Sequence, residues 1–213
     1  MEKKKIILIA VISIILIVSI VGVTIFLVNK NNSVESNDLK TAKLYDDLKS
    51  KSAYSFTITL DENNKMYYAK NNDTAYIDTL YESDESKFIV RDGNSYLLND
   101  SDKVYYTYKN NETDLKKIEQ QLESIKDLEC VQGTEKIENK QYKYEEYAVE
   151  TDFLFKFFED SDMKNVKTRF YYDGDRLAYI KTIVGDYQEL LKVDISYKVD
   201  NKLFEIPSDY EEA

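Results

Sequence analysis

Forty aspartates and glutamates stand in these 213 residues without a single histidine, so the groups available for chemistry are carboxylates, nineteen tyrosine hydroxyls and one thiol, Cys130. The missing histidine removes the commonest general base at neutral pH, the usual partner of a nucleophilic serine or cysteine, and the commonest metal ligand. Acidic runs such as Asn99-Asp100-Ser101-Asp102 and Glu159-Asp160-Ser161-Asp162 carry oxygens that calcium could use. Neither continues with the spacing of a calcium loop, so both read as solvated turns. No carboxylate pair for glycoside chemistry stands out among so many acids. There is no glycine-rich phosphate loop, no paired metal-binding cysteines and no nucleophile elbow, and the five glycines read as belonging to the apolar N-terminus or to turns. No catalytic, metal-binding or cofactor-binding residue is assigned, no cofactor is expected, and the chain reads as a non-enzyme. As the sole cysteine, Cys130 cannot form an intramolecular disulfide and is expected to be a buried structural thiol.

Charge narrows the partners. The formal net charge is −11; setting aside Lys3, Lys4, Lys5, Lys30 and Glu2 leaves 25 basic and 39 acidic residues, a net of −14. A domain so acidic repels nucleic acid phosphates and anionic headgroups, whose recognition needs fixed positive charge. Nucleic acid is therefore excluded as a direct partner.

The elements that would position a site begin at the N-terminus. Ile6 to Val28 is an uncharged apolar run; as a helix it would be about 34 Å long, enough to cross a hydrocarbon core of ~30 Å with some tilt. A signal peptide has a shorter apolar region and small residues at its end, which Phe26-Leu27-Val28-Asn29-Lys30 lacks. Residues 1–30 are thus expected to be an uncleaved transmembrane anchor. Its leading lysines hold the N-terminus in the cytoplasm and place the rest of the chain outside the cell membrane. Residues 31–37, NNSVESN, read as a polar linker, and residues 38–213 as one extracytoplasmic domain.

In that domain Asn37 can cap a helix from Asp38 to about Lys51, with Leu39, Ala42, Tyr45 and Leu48 on one stripe. Tyr54, Phe56, Ile58 and Leu60 then alternate with polar residues, the period of a half-buried strand. Turn clusters recur every ten residues or so, and between them lie strands 65–70, 74–81, 87–91, 95–98 and 104–108, joined closely enough to be antiparallel neighbours. Thr113 can cap a second helix carrying Leu115, Ile118, Leu122 and Ile125 on one stripe. After a strand at 141–150, the run Phe153-Leu154-Phe155-Lys156-Phe157-Phe158 is too apolar for a surface loop. Strands 166–172, 177–184 and 189–199 close the chain, the last with Leu191, Val193, Ile195 and Tyr197 facing one way. The pairs Tyr67-Tyr68, Tyr105-Tyr106 and Tyr171-Tyr172 send one ring to each face, for cavity lining or for ordinary cross-strand packing.

This order of elements, closing on Phe204-Glu205-Ile206-Pro207-Ser208-Asp209-Tyr210, resembles the LolA-like lipoprotein-carrier superfamily, of LolA/LppX/RseB-type fold, over residues 38 to 210. The resemblance implies an α+β fold: an incomplete antiparallel β-barrel of about nine to eleven strands with helices over its concave face, enclosing a cavity for acyl chains. Some members carry lipoproteins, some carry lipids and some act as sensors. An uncleaved anchor departs from the periplasmic carriers and rules against shuttling between membranes. The chain is thus expected to be a membrane-anchored bacterial envelope protein that accommodates an acyl chain, lipid or lipoprotein in an apolar groove. Phe56, Ile58, Leu115, Ile118, Leu122, Ile125, Phe153, Leu154, Phe157, Val193 and Ile195 are the candidate lining, with Leu122 and Phe157 facing the ligand. The alternative is an envelope-sensing or protein-interaction domain whose core is filled by its own side chains.

Overall fold

A computed structural model describes residues 39–109, 130–149 and 166–213. The expected anchor, the linker, the cap Asn37, the stripe Leu115, Ile118, Leu122 and Ile125, and the run holding Phe153, Leu154 and Phe157 lie outside the described residues. Among the described residues no helix is long and apolar enough to cross a membrane. The described chain is mostly antiparallel β-sheet with one α-helix, and it divides into two compact units: residues 39–49, 130–149 and 166–191, and residues 50–109 and 192–213.

The second unit is a meander. Strands β1 (Ala53–Asp61), β2 (Asn64–Asn71), β3 (Thr74–Tyr81), β4 (Asp84–Arg91), β5 (Asn94–Asn99) and β6 (Val104–Lys109) pair in sequence order, each antiparallel to the next. Four two-residue turns at 62–63, 72–73, 82–83 and 92–93 give it a ten-residue period. Asn72, Glu82 and Asp92 take positive φ, and Asp92 with Gly93 (φ 52° and 73°) has both central residues left-handed, the turn geometry that suits strand twist. Because the turn at Glu82-Ser83 uses only two residues, β4 starts at Asp84 and not at the expected Lys87; ladder pairing with β3 overrides the weak strand preference of Asp84, Glu85 and Ser86.

Strand β11 (Tyr187–Ser196) lays residues 192–196 beside β1, with Phe56 opposite Ile195 and Ile58 opposite Val193. It stops at Ser196, short of the expected Val199, so Tyr197 leaves the alternation and stands 49% exposed beneath Lys51. The chain then crosses one face of the meander. A single 3-10 turn, Asn201–Phe204, is capped by Asp200 and puts Phe204 against Ala69, Tyr76 and Ile89, with Leu203 and Ile206 beside it. Arg91 donates to the Phe204 carbonyl at 3.3 Å, and the Tyr210 hydroxyl donates to Asp100, which also accepts from Lys87 at 2.6 Å. The last residues, Glu211–Glu212, form β12 parallel to β6. The closing phrase Phe204, Ile206 and Tyr210 is thus a clasp over one face of the sheet.

The first unit holds helix α1 (Lys40–Ser50) and strands β7 (Cys130–Ile137), β8 (Lys140–Val149), β9 (Val166–Asp173), β10 (Arg176–Val184) and the first half of β11. Strand β7 was not expected; its Gln, Gly, Thr, Glu and Lys residues carry no apolar alternation, and its pairing with β8 creates it. Gly133 therefore lies inside a strand and not in a turn. Its missing side chain admits the Tyr144 ring, which a Cβ would meet at 2.5 Å, and Arg169 covers that ring at 4.5 Å. Cys130 is half-buried, not buried as expected, because it sits on an edge strand, and burial pushes its thiol pKa up.

Candidate functional site

The meander carries apolar residues on both faces, and the chain's own tail seals one. On the other, register partners form a single row across seven strands: Ile195, Phe56, Tyr68, Ile77, Phe88, Leu97 and Tyr106. At strand spacing the row runs about 29 Å. Its character changes along its length. Phe56 and Tyr68, stacked at 4.8 Å, are buried; Ile77, Phe88 and Leu97 are half-buried; Tyr106 is 38% exposed, and Tyr108 beside it 52%. Val193, Ile58 and Met66 form the neighbouring row, all buried. A sheet apolar on both faces requires two covers, and among the described residues the tail supplies one.

Four of the eleven expected lining residues thus meet on this face: Phe56 beside Ile195 and Ile58 beside Val193. The other seven lie outside the described residues. Sequence reasoning missed Tyr68, Ile77, Phe88 and Leu97, which one strand alternation extended through the ten-residue turn period would have found. The tyrosine pairs divide as expected. Tyr68 stacks on this face while Tyr67 meets Tyr76 on the other, and Tyr105 meets Tyr96 while Tyr106 stays exposed.

One face of the first unit carries an ion-pair network beside the buried cluster of Ile137, Tyr142, Tyr171 and Ala178. There Arg169 bonds Glu146 at 2.5 Å and Glu135 at 2.8 Å, Lys181 also bonds Glu135, and Lys167 pairs with Glu146 at 3.2 Å. Burial pushes the Glu135 carboxyl up, but bonds from Lys181, Tyr171 and Arg169 outweigh it and hold its pKa below the usual range; Glu146 is lowered in the same way by Arg169 and Lys167. On the opposite face the buried Glu145 accepts from the Lys40 and Thr41 amides at 2.7 and 2.9 Å, capping α1 from a distant strand. Thr41 also bonds the Tyr172 hydroxyl at 2.8 Å. The run Asn99-Asp100-Ser101-Asp102 turns its oxygens inward: Asn99 accepts from the Ser101 and Asp102 amides, and Asp100 is taken by Lys87 and Tyr210. Among the described residues no group of acids and cysteine is placed to hold a metal ion.

The structure is similar to lipoprotein LppX of Mycobacterium tuberculosis, with a TM-score of 0.50 and 12% identity over 76% of this chain and 95% of that one. This likeness is one of fold. It agrees with the LolA-like resemblance at that level. Weaker matches are LprF of Mycobacterium bovis (TM-score 0.44, 8% identity, 76% and 90% covered) and an uncharacterized conserved protein of Thermus thermophilus (0.43, 6%, 77% and 91%). No sequence family and no curated protein matches the chain.

Proposed function

We propose that the chain is a non-enzymatic, membrane-anchored binding protein that holds an acyl chain, lipid or lipoprotein against the apolar face of its meander opposite the tail. The observation that carries this reading is the row from Ile195 to Tyr106, apolar throughout yet progressively uncovered toward β6. A hydrocarbon chain fits such a surface because each methylene removed from water contributes about 0.8 kcal/mol without any charged contact. The LolA-like resemblance implies the same ligand class, and the likeness to LppX agrees with that resemblance at the level of the fold.

Native mass spectrometry of the full chain followed by lipid extraction tests it. We expect co-purified lipid in the wild type and its loss in Leu97→Glu, which buries no charge deeply because Leu97 is only half-buried. A chain that carries no lipid and binds no fluorescent fatty acid would instead favour a protein-interaction role, for which the exposed Tyr106 and Tyr108 are the natural contact.

A further inference from the structure

The ten-residue period of the meander sends its turns alternately to two ends, about 26 Å apart for a strand of eight residues, and charge divides between them. One end holds the turns at 62–63 and 82–83, the connection from β5 to β6, and the last residues of the tail. Its turns expose Asp61-Glu62, Glu82, Asp84-Glu85, Asp100 and Asp102, and the tail adds Asp209 and Glu211-Glu212. Against these ten carboxylates stand Lys65, Lys87, Lys103 and Lys192, which leaves a net charge of −6. The other end holds the turns at 72–73 and 92–93, the start of β1 and the residues after β11, where the Asn71 side chain donates to Asn201 at 2.9 Å. There Lys51, Lys70, Arg91, Lys109, Lys198 and Lys202 outnumber Asp73, Asp92, Asp200 and Glu205, a net of +2. The total of −11 conceals this division. The ends lie about three Debye lengths apart at physiological salt, so a charged surface at one acts on that one alone. The chain also enters this unit at the basic end: the Ser52 carbonyl accepts from the Asn72 amide at 2.7 Å, beside the turn at 72–73. Charge and point of entry are independent observations, and they select the same end.

Resting on the membrane anchor of the function proposed above, we propose that the end of the meander carrying Lys51, Lys109, Lys198 and Lys202 docks on the anionic surface of the bilayer that holds the anchor, with the acidic end turned away. These four lysines are exposed. An anionic bilayer attracts each lysine brought close to its surface and repels each carboxylate, within about a Debye length. Turned the other way, the meander would set the ten carboxylates of its acidic end against the headgroups. Flexible four-carbon stems let the lysine ammonium groups reach farther toward lipid phosphates than the short side chains of Asp73 and Asp92. The segment coming from the anchor joins β1 at the docked end and need not cross the length of the strands. The repulsion of anionic headgroups inferred from the total charge thus belongs to the acidic end.

The test places the full chain in phosphatidylcholine nanodiscs with and without phosphatidylglycerol, each containing a trace of nitroxide-headgroup lipid. In a Cys130→Ser background a fluorophore is attached through Ser52→Cys or through Ser83→Cys, exposed positions at the basic and acidic ends. We expect phosphatidylglycerol to raise quenching of the Ser52→Cys label over that of the Ser83→Cys label about fivefold, the factor one lysine contributes near an anionic surface. Molar salt should erase the preference. Lys198→Glu combined with Lys202→Glu should abolish it with thermal unfolding unchanged, since both side chains are exposed. Equal quenching of the two labels, stronger quenching at Ser83→Cys, or a preference that survives the double reversal would overturn the docking and leave the anchor and the acyl-chain reading intact. A chain recovered free of nanodiscs in both lipids would overturn the anchor, and the docking falls with it.

Discussion

Glu145 shows how one side chain ties remote segments together. The first N–H groups of a helix have no intrahelical acceptor, and a carboxylate there meets both the hydrogen-bonding need and the helix dipole. Glu145 does this from strand β8, buried and further bonded by the Tyr147 hydroxyl at 3.2 Å. Glu145→Ala should therefore cost about 2 kcal/mol in chemical denaturation, near the upper end for helix caps, because the buried Thr41 amide and the part-buried Lys40 amide both lose their acceptor. A loss under ~0.5 kcal/mol would mean that water replaces the cap. The network around Glu135 and Glu146 predicts a pH dependence. Both carboxyls have folded pKa values below their ordinary ones, so their contribution is complete above the unfolded glutamate pKa of about 4.3 and is lost as pH falls through the lowered folded values. Glu146→Gln should flatten the stability curve below that pH and lower the plateau above it. An unchanged acid limb would show that the two glutamates titrate normally.

At the scale of elements, the tail and not the strands supplies the cover for one face of the meander. Phe204 is 7% exposed against Ala69, Tyr76 and Ile89, and Arg91 and Tyr210 fasten the chain on either side of it. Phe204→Ala should cost about 3–5 kcal/mol. It should also make the C-terminal residues accessible to carboxypeptidase before the sheet unfolds. Cooperative loss of both together would show that the clasp and the sheet form a single folding unit. The phrase containing Phe204, Ile206 and Tyr210 supported the family resemblance in the sequence, and its structural task is now visible: it covers the sheet and takes no part in the apolar row.

At the scale of the whole molecule, the proposed orientation, with the N-terminus in the cytoplasm and the domain outside, is argued from Lys3, Lys4 and Lys5 preceding the apolar run at Ile6 to Val28. Protease added to intact cells or protoplasts should degrade the domain; protection in intact cells with cleavage after lysis would reverse the orientation. By itself the sequence determined the period-two strands, the ten-residue turn rhythm and the pairing of Phe56 and Ile58 with one face. Alternation and turn chemistry are local, and Asn72, Asp92 and Gly93 adopt left-handed φ at little cost wherever they sit. Strand β7 was hidden because its residues lack apolar alternation and become a strand only when β8 offers a ladder. The tertiary structure alone decided that Glu145 caps α1 from 104 or more residues away and that the tail seals one apolar face. Those outcomes depend on which strands become neighbours, a matter of long-range register that no local spacing encodes.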